Sequence, residues 1–261
     1  MRVIRLAVVA LIVAAAPPQV FGPTPTYADL AALTLASPVV ARATIVRSDR
    51  IGVKDAPDLP PGRTRLLVRA ALSAAIKAPG GVPAQIEYLF DAPLDARGKP
   101  PRLKGAAVLV FLRASTSPGQ YALVSAPAQI AATPATEATI RAVLADAKRD
   151  VPVITGVGNA FRVPGAVPGE AESQFFLTTA TSPVSLVVLT RPGQPRTLSL
   201  ALGEIVDDAA APIRPDTLLW YRLACFLPRA LPAGVGGDDR AALGDDYAFV
   251  LASLGPCARN L

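Results

Sequence analysis

Proline occupies 27 of the chain's 261 residues, a high share. Each proline lacks a backbone N–H and fixes φ, so it interrupts helices and sheet ladders alike. A chain punctuated in this way folds into many short elements joined by turns. It is otherwise of ordinary globular composition, 51% hydrophobic and 18% charged.

The patterning between the prolines is largely that of strands. Pro38–Ile51 is the first such run. Arg63–Leu72 alternates, with Leu66, Val68, Ala70 and Leu72 on one face and Arg65, Leu67, Arg69 and Ala71 on the other, the signature of a half-buried strand. Ala84–Phe90 repeats the alternation. Ala106–Leu112 is apolar throughout and reads as a central strand, hairpinned to Tyr121–Ser125. A short helix over Tyr27–Ala36 precedes these strands. A second helix follows them, with Thr133 as N-cap, Pro134 in the first turn and an apolar stripe of Ile140, Val143, Leu144 and Ala147.

Asp150-Val151-Pro152 marks the boundary with a second half that opens on two Val-Pro-Gly turns, Val163–Gly165 and Val167–Gly169. Strands are expected over Gln174–Thr181, Val184–Thr190 and Arg196–Ile205. Two helices follow, one capped by Asp216 and the other by Asp238 or Asp239. The predicted fold class is α+β: an OB-like antiparallel β-barrel with a helix over 23–150, then a β-meander packed by two helices over 151–261.

Residues 1–22 have the form of a secretory signal peptide. Arg2 and Arg5 precede an apolar run, Leu6–Ala16, that is short of the ~20 residues a membrane-spanning helix needs. Cleavage is compatible with small residues at Ala16, Gly22 or Ala28. The expected location is the periplasm or the exterior. In such an oxidising setting the two cysteines, Cys225 and Cys257, are expected to form a disulfide, closing a loop for about 3–4 kcal/mol.

The absence of histidine removes Ser-His-Asp and Cys-His mechanisms and histidine-ligated metal or haem. No Ser-x-x-Lys, Walker or calcium-loop pattern is present, and neither a metal nor a cofactor is expected. The doublets Asp207-Asp208, Asp238-Asp239 and Asp245-Asp246 lack calcium-loop spacing. The remaining catalytic candidates are Glu170 and Glu172, two positions apart and therefore on one side of a strand, as in a carboxylate-dependent hydrolase. Two solvated turn glutamates are the simpler reading of the pair, and the hydrolase is the alternative to it.

Charge is unevenly distributed. Residues 23–150 carry 16 Lys/Arg against 10 Asp/Glu (+6), whereas 151–261 carry 8 against 10 (−2). Arg63, Arg65, Arg69, Lys99, Arg102 and Lys104 dominate the excess and are candidates for contacting an anionic component or protein of the envelope. No aromatics interleave with them to stack bases, so nucleic acid is not the expected partner.

Two resemblances accompany these patterns. Ala201–Asp208 (ALGEIVDD) and Asp216–Pro228 (DTLLWYRLACFLP) resemble segments of an uncharacterised family of exported alphaproteobacterial proteins, which implies export and no particular activity. Ser37–Val46, Lys104–Leu112 and Tyr121–Val124 resemble pieces of netrin-module-like OB barrels, which implies that fold for the first half. The chain lacks the N-terminal cysteine used by inhibitors of that class, so protease inhibition does not carry over. Taken together, the expectation is an exported, non-enzymatic binding or assembly module.

Overall fold

The computed structural model describes residues 22–117, 119–149, 151–180, 183–202 and 213–261. The expected signal run Leu6–Ala16 and the doublet Asp207-Asp208 lie outside the described residues. Helix α1 (Tyr27–Ala36) begins at a capping box: Thr26 Oγ1 accepts the Asp29 N–H at 3.1 Å, and the Asp29 carboxylate accepts the Thr26 N–H at 3.0 Å. Strands β1 (Val39–Arg50), β2 (Arg63–Lys77), β3 (Gln85–Pro93), β4 (Ala107–Ala114), β5 (Tyr121–Leu123) and β6 (Gln129–Ala131) follow. All pair antiparallel in one sheet of order β3-β2-β1-β4-β5, with β6 also on β4.

The alternation of β2 decides which face is interior. Leu66, Val68 and Ala70 pack with Ile45, Tyr88 and Val110, while Arg65, Leu67 and Arg69 point outward. The sheet curls far enough for its ends to touch. Glu87 N–H of β3 donates to Gly119 O at 3.2 Å beside an isolated parallel bridge between Glu87 and Gln120. The Tyr88 hydroxyl donates to Gln129 Oε1 of β6 at 2.5 Å.

Helix α2 (Pro134–Ala147) starts as expected, with the Thr133 hydroxyl accepting the Thr136 N–H at 3.1 Å and Pro134 in the first turn. The second sheet is a meander of β7 (Ile154–Pro164), β8 (Ala171–Thr179), β9 (Val184–Thr190) and β10 (Thr197–Leu202). Helices α3 (Leu218–Phe226) and α4 (Arg240–Leu254) cover its inner face, where Phe175, Leu186, Leu223, Tyr247 and Val250 are buried. The described residues thus form a mixed α+β fold of two antiparallel sheets and four helices. No described helix is long and apolar enough to cross a membrane.

Thr155–Asn159 lies inside β7, and register shifts between Ile154 and Gly156 and between Val157 and Asn159 place glycines where the strand bulges. Two local expectations need correction, and a third holds only in position. Val163 and Pro164 pair with Glu172 and Ala171 instead of turning, and the hairpin closes through Gly165 N–H to Glu170 O at 2.8 Å. The cap of α3 is Thr217, whose hydroxyl accepts the Trp220 N–H at 3.2 Å, while Asp216 takes a left-handed φ of 54°. Asp239 is the N-cap of α4 by position but makes no side-chain cap bond.

Cys225 and Cys257 form the expected disulfide, tying the end of α3 to the tail beyond α4. That tail then reaches α1: the Thr26 hydroxyl donates to Ala258 O at 2.8 Å, and Asn260 N–H donates to Asp29 Oδ2 at 2.9 Å. Helix α1 therefore serves two cores. Leu30 and Leu33 pack with Val40, Phe111 and Ile140, whereas Ala28 and Ala31 sit in the cluster of Trp220 and Leu223.

Candidate functional site

The outer face of β2–β3 carries a cross-strand ladder set by register: Arg65 opposite Asp91, Leu67 opposite Leu89, Arg69 opposite Glu87. Opposite charges at directly facing positions attract one another and hold the face in register. Arg65 meets Asp91 through two parallel bonds, Nε to Oδ1 at 2.7 Å and Nη2 to Oδ2 at 2.8 Å. Its Nη1 also donates to Asp58 Oδ1 at 2.8 Å, holding the Asp58 carboxyl below the usual carboxylate range. Arg69 Nε lies 2.5 Å from Glu87 Oε1, and Arg63 donates to the Asp91 carbonyl at 2.8 Å.

This face floors one side of a groove of about 730 Å³ whose opposite side is Arg113, Ser115, Gln120 and Tyr121 from the β4–β5 hairpin. Arg113 is exposed and makes no ion pair among the described residues. The groove pairs charged and hydroxyl groups with apolar Leu67 and Leu89. That combination suits an extended ligand with both polar and apolar parts.

Beyond the Arg65 end of the groove, past the pair Arg63–Pro93, the chain enters the β3–β4 connection. Asp95 Oδ1 accepts the N–H groups of Arg97 and Lys99, both at 2.8 Å, and fixes a tight turn that presents these two side chains. Leu103, fully buried, anchors the middle, and Gly105 N–H donates to Ile45 O at 2.8 Å. Arg97, Lys99, Arg102 and Lys104 are exposed around these anchors, against the single acid Asp95.

The structure thus divides the six cations expected to act together. Arg65 and Arg69 are held by facing carboxylates. Arg63 bonds to backbone at the seam. Lys99, Arg102 and Lys104 remain exposed without an ion pair among the described residues.

The two glutamates are placed apart from this region. Glu170 closes the β7–β8 hairpin and accepts from Arg191 Nε at 3.3 Å, while Glu172 lies on β8 facing Val163 and Leu189. Neither lines the groove. Among the described residues no group of three or more Cys, Asp or Glu is arranged to hold a metal ion.

Sequence reasoning missed the groove's second wall. Arg113, Ser115 and Gln120 stand on a hairpin whose position over β3 depends on how the sheet curls, and no local pattern reports that. It also missed Asp246, whose oxygens take Arg162, the Ser173 hydroxyl at 2.6 Å and Arg196 at 3.2 Å. No known protein-family model matches this chain, and no curated protein matches it.

Proposed function

We propose that this is an exported binding module of the cell envelope, and that it contacts an anionic envelope component through the β3–β4 connection and the adjoining groove. One observation carries the reading: Arg97, Lys99, Arg102 and Lys104 are exposed around one acid on a connection pinned at Asp95, Leu103 and Gly105. Exposed cations that make no ion pair among the described residues, carried on a pinned backbone, produce a local field that attracts and orients an anionic surface. Arg65 and Arg69, whose charges are already answered by facing carboxylates, are not the source of the attracting field; that role falls to the β3–β4 connection.

The proposal includes an OB-like barrel for the first sheet. Its support is the strand order β3-β2-β1-β4-β5 and the parallel Glu87–Gln120 bridge between its ends. In such barrels the face of the second and third strands and the loop between the fourth and fifth bind ligands. The 730 Å³ groove has that composition. Export is supported by the signal-like N-terminus and by the Cys225–Cys257 disulfide.

The test is crosslinking in intact cells with wild type and with the Lys99→Glu/Arg102→Glu/Lys104→Glu triple variant. Capture of the envelope component should fall at least about tenfold, and wild-type capture should weaken as added salt screens the field. Equal capture by both proteins would overturn the placement.

A further inference from the structure

We infer that the signal segment is removed upstream of Thr24, so that Thr24–Ala28 remain in the mature protein. The inference rests on the export reading above and chooses among the cuts the sequence permits, after Ala16, Gly22 or Ala28. The last of these is disfavoured by what the fold does with the residues it would remove.

Thr26 is the N-cap of α1. Its hydroxyl accepts the Asp29 N–H, and its carbonyl accepts the Leu30 N–H at 3.1 Å, so the first turn is closed from outside the helix. Tyr27 packs edge-on against Trp220, with ring centroids 6.1 Å apart. Ala28 is fully buried in the core shared with α3.

The C-terminal tail depends on the same residues. Asn260 Nδ2 donates to Thr24 O at 2.8 Å, and the Thr26 hydroxyl donates to Ala258 O. A chain starting at Asp29 loses the cap, the aromatic contact, the Ala28 packing and two of the bonds that hold the tail. It also gains an α-ammonium at a residue that is 2% exposed in the intact fold.

The test is to express the full chain in a Gram-negative host and read the N-terminus of the exported protein by intact mass and terminal sequencing. A first residue at or before Thr24 is the expected result. A first residue of Asp29 overturns the inference while leaving export standing. An uncleaved chain retained in the cytosol overturns the export reading and the inference with it. As a second measurement, purified chains beginning at Pro23 and at Asp29 are melted side by side. The Asp29 chain should melt at least about 5 °C lower. Equal melting temperatures would show that the removed residues are dispensable and would count against their retention.

Discussion

Asp246 and Arg162, 84 residues apart in sequence, form an ion pair in the seam between α4 and β7. The carboxylate is almost fully buried, and it is also bonded by the Ser173 hydroxyl on β8 and by Arg196 just before β10. One side chain thus fastens the last helix to three parts of the second sheet. A buried carboxylate is tolerable only because its oxygens are matched by cationic and hydroxyl donors.

Replacing Asp246 by alanine should therefore cost about 3–5 kcal/mol, because Arg162 would be left partly buried without its counter-charge. Asp246→Asn keeps the shape and should be destabilising to a lesser degree. Denaturant unfolding of the three proteins decides this; a change within error for Asp246→Ala would show that the cluster does not hold α4.

The two classes of cation on the first sheet should separate in experiment. Arg65→Ala removes the partner of Asp91 and should lower stability by about 1 kcal/mol. Lys104→Ala touches no ion pair among the described residues and should leave the melting temperature unchanged. Thermal melts of both variants would show it.

Opening the Cys225–Cys257 bridge should lower stability by about 3–4 kcal/mol, through greater freedom of the unfolded chain. Because the tail beyond α4 carries Ala258 and Asn260 to α1, loss of the bridge should also speed amide exchange in the first turn of α1. Hydrogen exchange on the doubly serine-substituted protein reads this directly.

Stability should decline on the alkaline side. Burial pushes the Tyr247 hydroxyl up to about 12 and raises those of Tyr88 and Tyr27 as well, the last also through the charges of Asp146 and Asp216. Above pH ~10 the unfolded chain releases these protons while the folded chain keeps them. This contribution is complete below pH ~10 and is lost as pH rises toward and through the folded values. At about pH 11 the folded protein should show roughly two to three fewer ionised tyrosines by ultraviolet absorbance than the guanidinium-unfolded chain, and equal counts would refute the burial argument.

Elements with a local cause were legible. Val184–Thr190 occupies the residues its hydrophobic run indicates, and Thr133-Pro134 opens α2 because capping and fixed φ act within a few residues. The inward face of β2 followed from alternation alone. Elements set by distant partners were not legible. Gln129–Ala131 is only three residues long and becomes a strand because β4 offers it an edge. Asp245-Asp246 looked like any acidic doublet, since nothing near it announces Arg162. At the start of α3 two capping residues stand side by side, and the choice of Thr217 over Asp216 depends on where the helix docks. For the candidate site, the cations could be read from the sequence, but which of them were already matched could not.

The double role of α1 bears on how the protein comes apart. With Leu30 and Leu33 in one cluster and Ala28 and Ala31 in another, a single helix is a wall of both. Neither half can melt without stripping cover from its neighbour. The chain should therefore unfold in one cooperative transition, with equal calorimetric and van't Hoff enthalpies, despite having two sheets.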